Sequence, residues 1–130
     1  MSKHLRGVKP AVRPDQEPLS RVPKGPAWFG AHAREEWKRV LPMLVARRVI
    51  CAADLAQVET YCCMAGLVRQ IEQERQRSGG LIDVKLFGMQ NRAAQTARQI
   101  AATLGLDPVS RARLGSAAPE DDADNPLAVT

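Results

Sequence analysis

At 130 residues the chain has room for one domain, and its 45% apolar fraction leans on alanine, with aromatics at only 4%. A formal net charge of +5 points to a polyanionic partner first and a protein partner second. Three cysteines and two histidines, with no C-x-x-C and no Cys/His cluster, argue against a disulfide framework or metal centre, and the lack of a long apolar run argues against a membrane span or secretory leader.

The charge is unevenly placed. Residues 1–30 hold six Lys/Arg against two acids, residues 31–115 thirteen against eight, and residues 116–130 none against four. Residues 1–27 also hold Pro10, Pro14, Pro18, Pro23 and Pro26, interleaved with Lys3, Arg6, Lys9, Arg13, Arg21 and Lys24. Proline removes donors and blocks helix, so this reads as an extended or disordered basic arm that docks at Trp28-Phe29. Residues 28–115 are then the helical domain and residues 116–130 a disordered acidic tail.

Ala33, Trp37, Val40, Leu41 and Leu44 recur at helical spacing and predict a first helix over about 31–47, with Pro42 kinking it or ending it early. The connection to the next helix is short, so the two should form an antiparallel hairpin. That second helix, from Ala53 to Arg77, dominates the chain. Leu55, Val58, Cys62 and Ala65 form one apolar stripe, and Tyr61, Met64, Val68 and Ile71 another. So wide a face on a lone helix favours oligomerisation. Its last two turns keep only Ile71 apolar, before Ser78-Gly79-Gly80 ends it.

In the next segment Ile82, Val84 and Leu86 alternate with Asp83 and Lys85, a strand period. A single strand leaves three options: a short hairpin, a loop, or pairing with another subunit. A third helix is expected over about 89–104, with Ala93, Ala97, Ile100 and Leu104 facing inward and Gly105 as its stop. Asp107-Pro108 then opens a short helix to about Leu114, with Asp as cap and Pro at the first position. The fold class is mainly all-α.

The run Leu104-Gly105-Leu106-Asp107-Pro108-Val109-Ser110-Arg111-Ala112-Arg113-Leu114-Gly115 closely resembles the C-terminal signature of the small terminase subunits of tailed bacteriophages. Trp37 stands where that family has an aromatic, and the Leu55–Tyr61–Cys62 segment is similar to its second-helix pattern. The resemblance covers about residues 27–115. In two places the chain departs from it. Gly88-Met89-Gln90-Asn91 replaces an Asn-Pro step, and Cys51 or Ala52 replaces a threonine cap. The resemblance implies a non-enzymatic part of a DNA-packaging motor in the host bacterial cytoplasm. It would form a homo-oligomeric ring, bind double-stranded viral DNA at the packaging start, and regulate a large ATPase/nuclease subunit.

No catalytic constellation or cofactor site is found. Cys62 and Cys63 lack a neighbouring base and read as packing residues, and Glu35, Glu36, Glu59, Glu72 and Glu74 read as helix-surface acids. DNA contact, which needs only cations and no fixed geometry, is expected first from the six arm residues. The folded candidates are Arg34, Lys38, Arg47 and Arg48, for which solvated or Glu-paired surface arginines and lysines are the competing reading. Arg111 and Arg113 are candidates for DNA, a cap or a subunit contact. In the tail, Glu120, Asp121, Asp122 and Asp124 precede Leu127. An acidic run with an apolar end suits docking on a basic-rimmed protein groove, by the resemblance the large subunit, or else a solubilising role. The alternative function is a small phage or prophage DNA-binding transcriptional regulator.

Overall fold

The computed structural model describes residues 17–117, with side chains as far as Arg113. Four α-helices follow one another: α1 (Ala31–Ala46), α2 (Leu55–Arg77), α3 (Val84–Leu104) and α4 (Pro108–Ala117), with a single 3-10 turn at Ala52–Asp54. Helix α2 lies between α1 and α3 and packs on both. The order of contacts makes both neighbours antiparallel to it. His32 bonds Gln73, Ala33 meets Gly66, and Glu36 meets Tyr61, while Gln90 of α3 reaches back to Val68 and Glu72. One core unites the layers. Val40, Leu41 and Leu44 of α1 meet Val58 and Cys62 of α2, and Ala97 and Leu104 of α3 close it. Each fully buried aliphatic side chain of this kind stabilises the fold by roughly 1.5–3 kcal/mol.

Gly66 explains how α1 and α2 approach so closely. A Cβ there would lie 2.8 Å from the Ala33 amide nitrogen and 3.2 Å from its Cα. Glycine inside a helix costs about 1 kcal/mol against alanine, and here that cost admits a neighbouring backbone.

The helix ends follow local chemistry. Helix α1 runs through Pro42 to Ala46 and is not ended early by it. It stops where Arg48 turns left-handed at φ 57°, with Val49 N–H donating to the Leu44 carbonyl at 3.4 Å. Where Cys51 stands in place of a threonine cap, Asp54 reaches back and accepts from the Cys51 amide at 2.9 Å. Gly79 and Gly80 adopt positive φ after α2, and Gly105 does so after α3, each where a left-handed stop was read.

The strand period over residues 81–87 is overturned: the described residues contain no strand, and α3 begins at Val84. Asp83 supplies the reason. Its carboxylate accepts from the amides of Lys85 (2.9 Å) and Leu86 (3.3 Å), satisfying donors that a helix start leaves open. The helix then passes unbroken through Gly88-Met89-Gln90-Asn91. At the other end α4 opens as its cap predicts, the Ser110 amide donating to Asp107 at 2.7 Å. It continues past Gly115 to Ala117, since a lone glycine costs helix stability but stops a helix only when it turns left-handed.

Candidate nucleic-acid interface

The segment before α1 is an extended strap laid along that helix. Leu19 N–H donates to the Ile50 carbonyl at 2.9 Å, the Trp37 indole donates to Pro23 at 3.0 Å, and Arg34 donates to the carbonyls of Pro26 and Phe29 at 3.4 and 3.3 Å. These contacts run from the C-terminal end of α1 to its N-terminal end, so the strap crosses the whole helix. Phe29 is buried edge-on against Trp37, with ring centroids 5.6 Å apart. The chain is thus held from Leu19 onward, well before Trp28.

This arrangement sorts the basic residues. Arg21 and Lys24 are exposed on the strap, and Lys38 and Arg48 are exposed on α1 and its end. All four therefore ride on one flank, the α1 side of the molecule. Arg34 and Arg47 lie on the same flank but hold parts of the fold together, Arg34 by clamping the strap and Arg47 by donating to the Gly105 carbonyl at 3.2 Å. That second bond ties the end of α1 to the end of α3, so α4 begins beside Arg47. Arg111 and Arg113 are exposed on α4. From Glu17 to Arg48 seven Lys/Arg face three acids, one of which is withdrawn from the surface. The predicted contacts at Lys3, Arg6, Lys9 and Arg13 lie outside the described residues, as do Glu120, Asp121, Asp122, Asp124 and Leu127.

The withdrawn acid is Glu36, a correction to its reading as a surface residue: its side chain is 0% exposed. It accepts from Arg39 and from the Tyr61 hydroxyl at 2.7 Å, and it pairs with Arg69 at 2.9 Å. Burial pushes its carboxyl up, yet the bonds from Arg39 and Tyr61 and the two guanidinium charges outweigh this and hold it below the usual carboxylate range. The same burial, with Glu36 beside it, pushes the Tyr61 phenol to about 12. Spacing carried a signal for this: Glu36 falls one turn before Val40 on the buried stripe of α1. Nothing in the sequence named its three partners, which come from one turn on and from α2. Lys/Arg spacing likewise could not show that Arg34 and Arg47 serve the backbone.

The thiols behave as packing groups. Cys62 is fully buried and burial, then the Glu36 charge, pushes it to about 12; Cys63 is raised for the same first reason. Neither forms the thiolate a nucleophile needs at neutral pH. Among the described residues no group of three or more His, Cys, Asp or Glu could hold a metal ion, and no helix is long and apolar enough to cross a membrane.

No curated protein and no solved structure matches the chain. A model of the family described as "Phage terminase, small subunit" matches residues 33–121. That span begins two residues into α1 and takes in every later helix, together with the described cations from Arg34 onward. Because the match extends over well more than half of the sequence, the chain belongs to the phage terminase small subunit family.

Proposed function

We propose that this protein is the small subunit of a phage DNA-packaging motor, a non-enzymatic homo-oligomer, in its ring form, that binds double-stranded viral DNA at the packaging start and regulates the large ATPase/nuclease subunit in the host cytoplasm. The family match over residues 33–121 carries the reading. The DNA-binding part is supported by charge: Arg21, Lys24, Lys38 and Arg48 face solvent on the α1 flank, and the sequence before Glu17 adds Lys3, Arg6, Lys9 and Arg13. Cations interleaved with prolines neutralise phosphates without fixing bases, so residues 1–16 contribute affinity and little sequence choice. The acidic tail would repel DNA and is assigned to the large subunit instead.

Duplex binding measured across a salt series tests the DNA contact. Removing residues 1–16 should weaken binding to all duplexes alike and flatten the log–log salt slope by about 0.9 per lost phosphate contact. Lys38→Glu with Arg48→Glu should flatten it further. An unchanged slope in both variants would overturn the assignment, and choice of one operator-like sequence with no large-subunit response would favour a transcriptional regulator.

A further inference from the structure

Glu36 is paired unlike any other acid among the described residues. Glu72 meets Arg75 at 2.6 Å and Glu74 meets Arg77 at 2.7 Å, one arginine each, and both carboxylates stay partly exposed beside their partners. Glu36 meets two arginines and lies beneath them: its side chain is 0% exposed, where Arg39 is 59% and Arg69 44%. Two cations therefore stand at the surface over one anion that is out of reach below. The site turns a positive charge in excess toward solvent.

The two guanidinium groups converge. Arg39 Nε donates to Glu36 Oε2 at 3.1 Å, and Arg69 Nη2 stands 2.9 Å from the same oxygen. Arg39 Nη2 reaches the other oxygen, which also accepts from the Tyr61 hydroxyl at 2.7 Å. One buried carboxylate thus holds a guanidinium of α1 beside a guanidinium of α2, across the seam between the helices. No other described acid pairs with either arginine, so the Nη1 donors of both stay available. Stability alone does not call for such an arrangement. Withdrawing a carboxylate from water offsets much of what its ion pairs contribute, and apolar packing at such a position is often no less stable. What the arrangement does secure is the placement of two planar forks, the groups that grip phosphate oxygens two at a time.

The geometry points to a seat for one phosphate group of the DNA backbone, formed by Arg39 and Arg69 and positioned by the buried Glu36. This rests on the reading of the α1 flank as DNA-binding and extends it. Trp37, which takes the strap, lies ~160° round α1 from Arg39, and the exposed Lys38 lies ~100° from each on the outer side. A duplex laid over α1 would run from the strap, across Lys38, to the seam with α2. There the paired arginines take a phosphate at a fixed point. Glu36 is ionised at neutral pH, its carboxyl held below the usual range, and so keeps hold of both partners. The cations of residues 1–16 supply attraction without register, whereas a phosphate contact fixed by two helices sets where the protein sits on the duplex.

Duplex binding across a salt series tests the seat, with circular dichroism showing each variant helical at the assay temperature. Glu36→Gln raises the positive charge by one but loosens both arginines. Attraction by charge alone would tighten binding, whereas the seat predicts a weakening of roughly two- to tenfold for each loosened arginine. Arg39→Lys with Arg69→Lys keeps every charge and the pairing with Glu36 but loses the forks, and should weaken binding roughly tenfold. The same change away from the site, Arg75→Lys with Arg77→Lys, should bind as the wild type does. Glu36→Gln that binds as tightly as the wild type, or a lysine pair at 39 and 69 with no loss, would overturn the inference. If Glu36→Gln is not helical, the lysine pair decides alone. Inorganic phosphate separates the sources of the group: at equal ionic strength, millimolar phosphate and chloride should give the wild type one melting curve. A rise with phosphate that the lysine pair lacks would make a free anion the ligand and overturn the assignment to DNA. A lysine pair that binds duplex normally yet no longer alters the large subunit's ATPase rate would overturn it too, giving the arginines to a protein carboxylate. Should the lysine pair bind normally while removal of residues 1–16 flattens the salt slope, the seat is misplaced and the DNA reading stands. If neither change alters binding, the DNA reading itself has failed.

Discussion

Glu36 and Arg48 are the two residues whose surroundings most constrain what the chain can tolerate. Glu36→Gln keeps the shape but removes the charge facing Arg39 and Arg69, and denaturant unfolding should show a loss of about 1–3 kcal/mol. Its folded carboxyl titrates below the unfolded one, so the unfolded chain takes up the proton first as pH falls. The stability it contributes is therefore complete above about pH 4.5 and lost as pH drops through the folded value. Glu72, held at about 2 chiefly by Arg75 and then Gln90, adds to the same acid limb. Glu36→Gln should make that limb shallower. The alkaline side has the opposite sign: Tyr61 and Cys62 are both pushed up to about 12 when folded, so stability should fall as pH rises toward 12, and Tyr61→Phe should lessen that fall while Cys62 keeps the rest. Arg48 presents a different bargain, since a side chain at φ 57° is strained where glycine would not be. Arg48→Gly should raise stability by about 0.5–1 kcal/mol while weakening duplex binding at low salt. Stabilisation with undiminished DNA affinity would show that Arg48 is not retained for phosphate.

Among the elements, the α1–α2 contact and the start of α3 are where local chemistry decides the packing. Gly66→Ala places a methyl group 2.8 Å from the Ala33 nitrogen, a backbone atom with little room to move. The helices must separate, at a cost of about 1–3 kcal/mol, against the gain a glycine-to-alanine change normally brings in a helix. Asp83→Ala should cost about 0.5–2 kcal/mol and fray the first turn of α3, seen as lost helical circular dichroism. The helices themselves were largely legible, because Val40, Leu44, Val58, Cys62, Ala97 and Leu104 recur with the helical period and do form the core. Residues 81–87 were not, because Ile82-Asp83-Val84-Lys85-Leu86 satisfies a strand pattern while Asp83 doubles as a helix cap. The five residues by which α3 starts before the expected Met89 open on that one carboxylate. Gly66 was invisible for a related reason: a close backbone approach leaves no period in one sequence. The polar half of the site was least legible. Pairing of Glu36 with Arg69 and of Arg47 with the Gly105 carbonyl joins positions 33 and 58 residues apart, which no local pattern encodes.

Taken whole, the molecule separates its surfaces by direction. A basic strap and helix occupy the α1 flank, an apolar tip ends the α2–α3 hairpin, and the Arg47–Gly105 bond sets the root of α4 at the end away from that tip. The proposed DNA contact on the α1 flank would therefore not compete with contacts made at the hairpin tip. The described core is built between Leu19 and Leu106, so ending the chain after Ala117 should leave folding, assembly and duplex binding intact. The central claim, that this family member works as a regulator within a packaging motor, is met most directly by the DNA-dependent ATPase rate of the cognate large terminase subunit, measured with and without this protein. The full chain should change that rate in a saturable way, and the chain ended after Ala117 should fail to do so while still binding the duplex. A large subunit whose rate is the same with the full chain, at concentrations where both proteins bind the DNA, would contradict it.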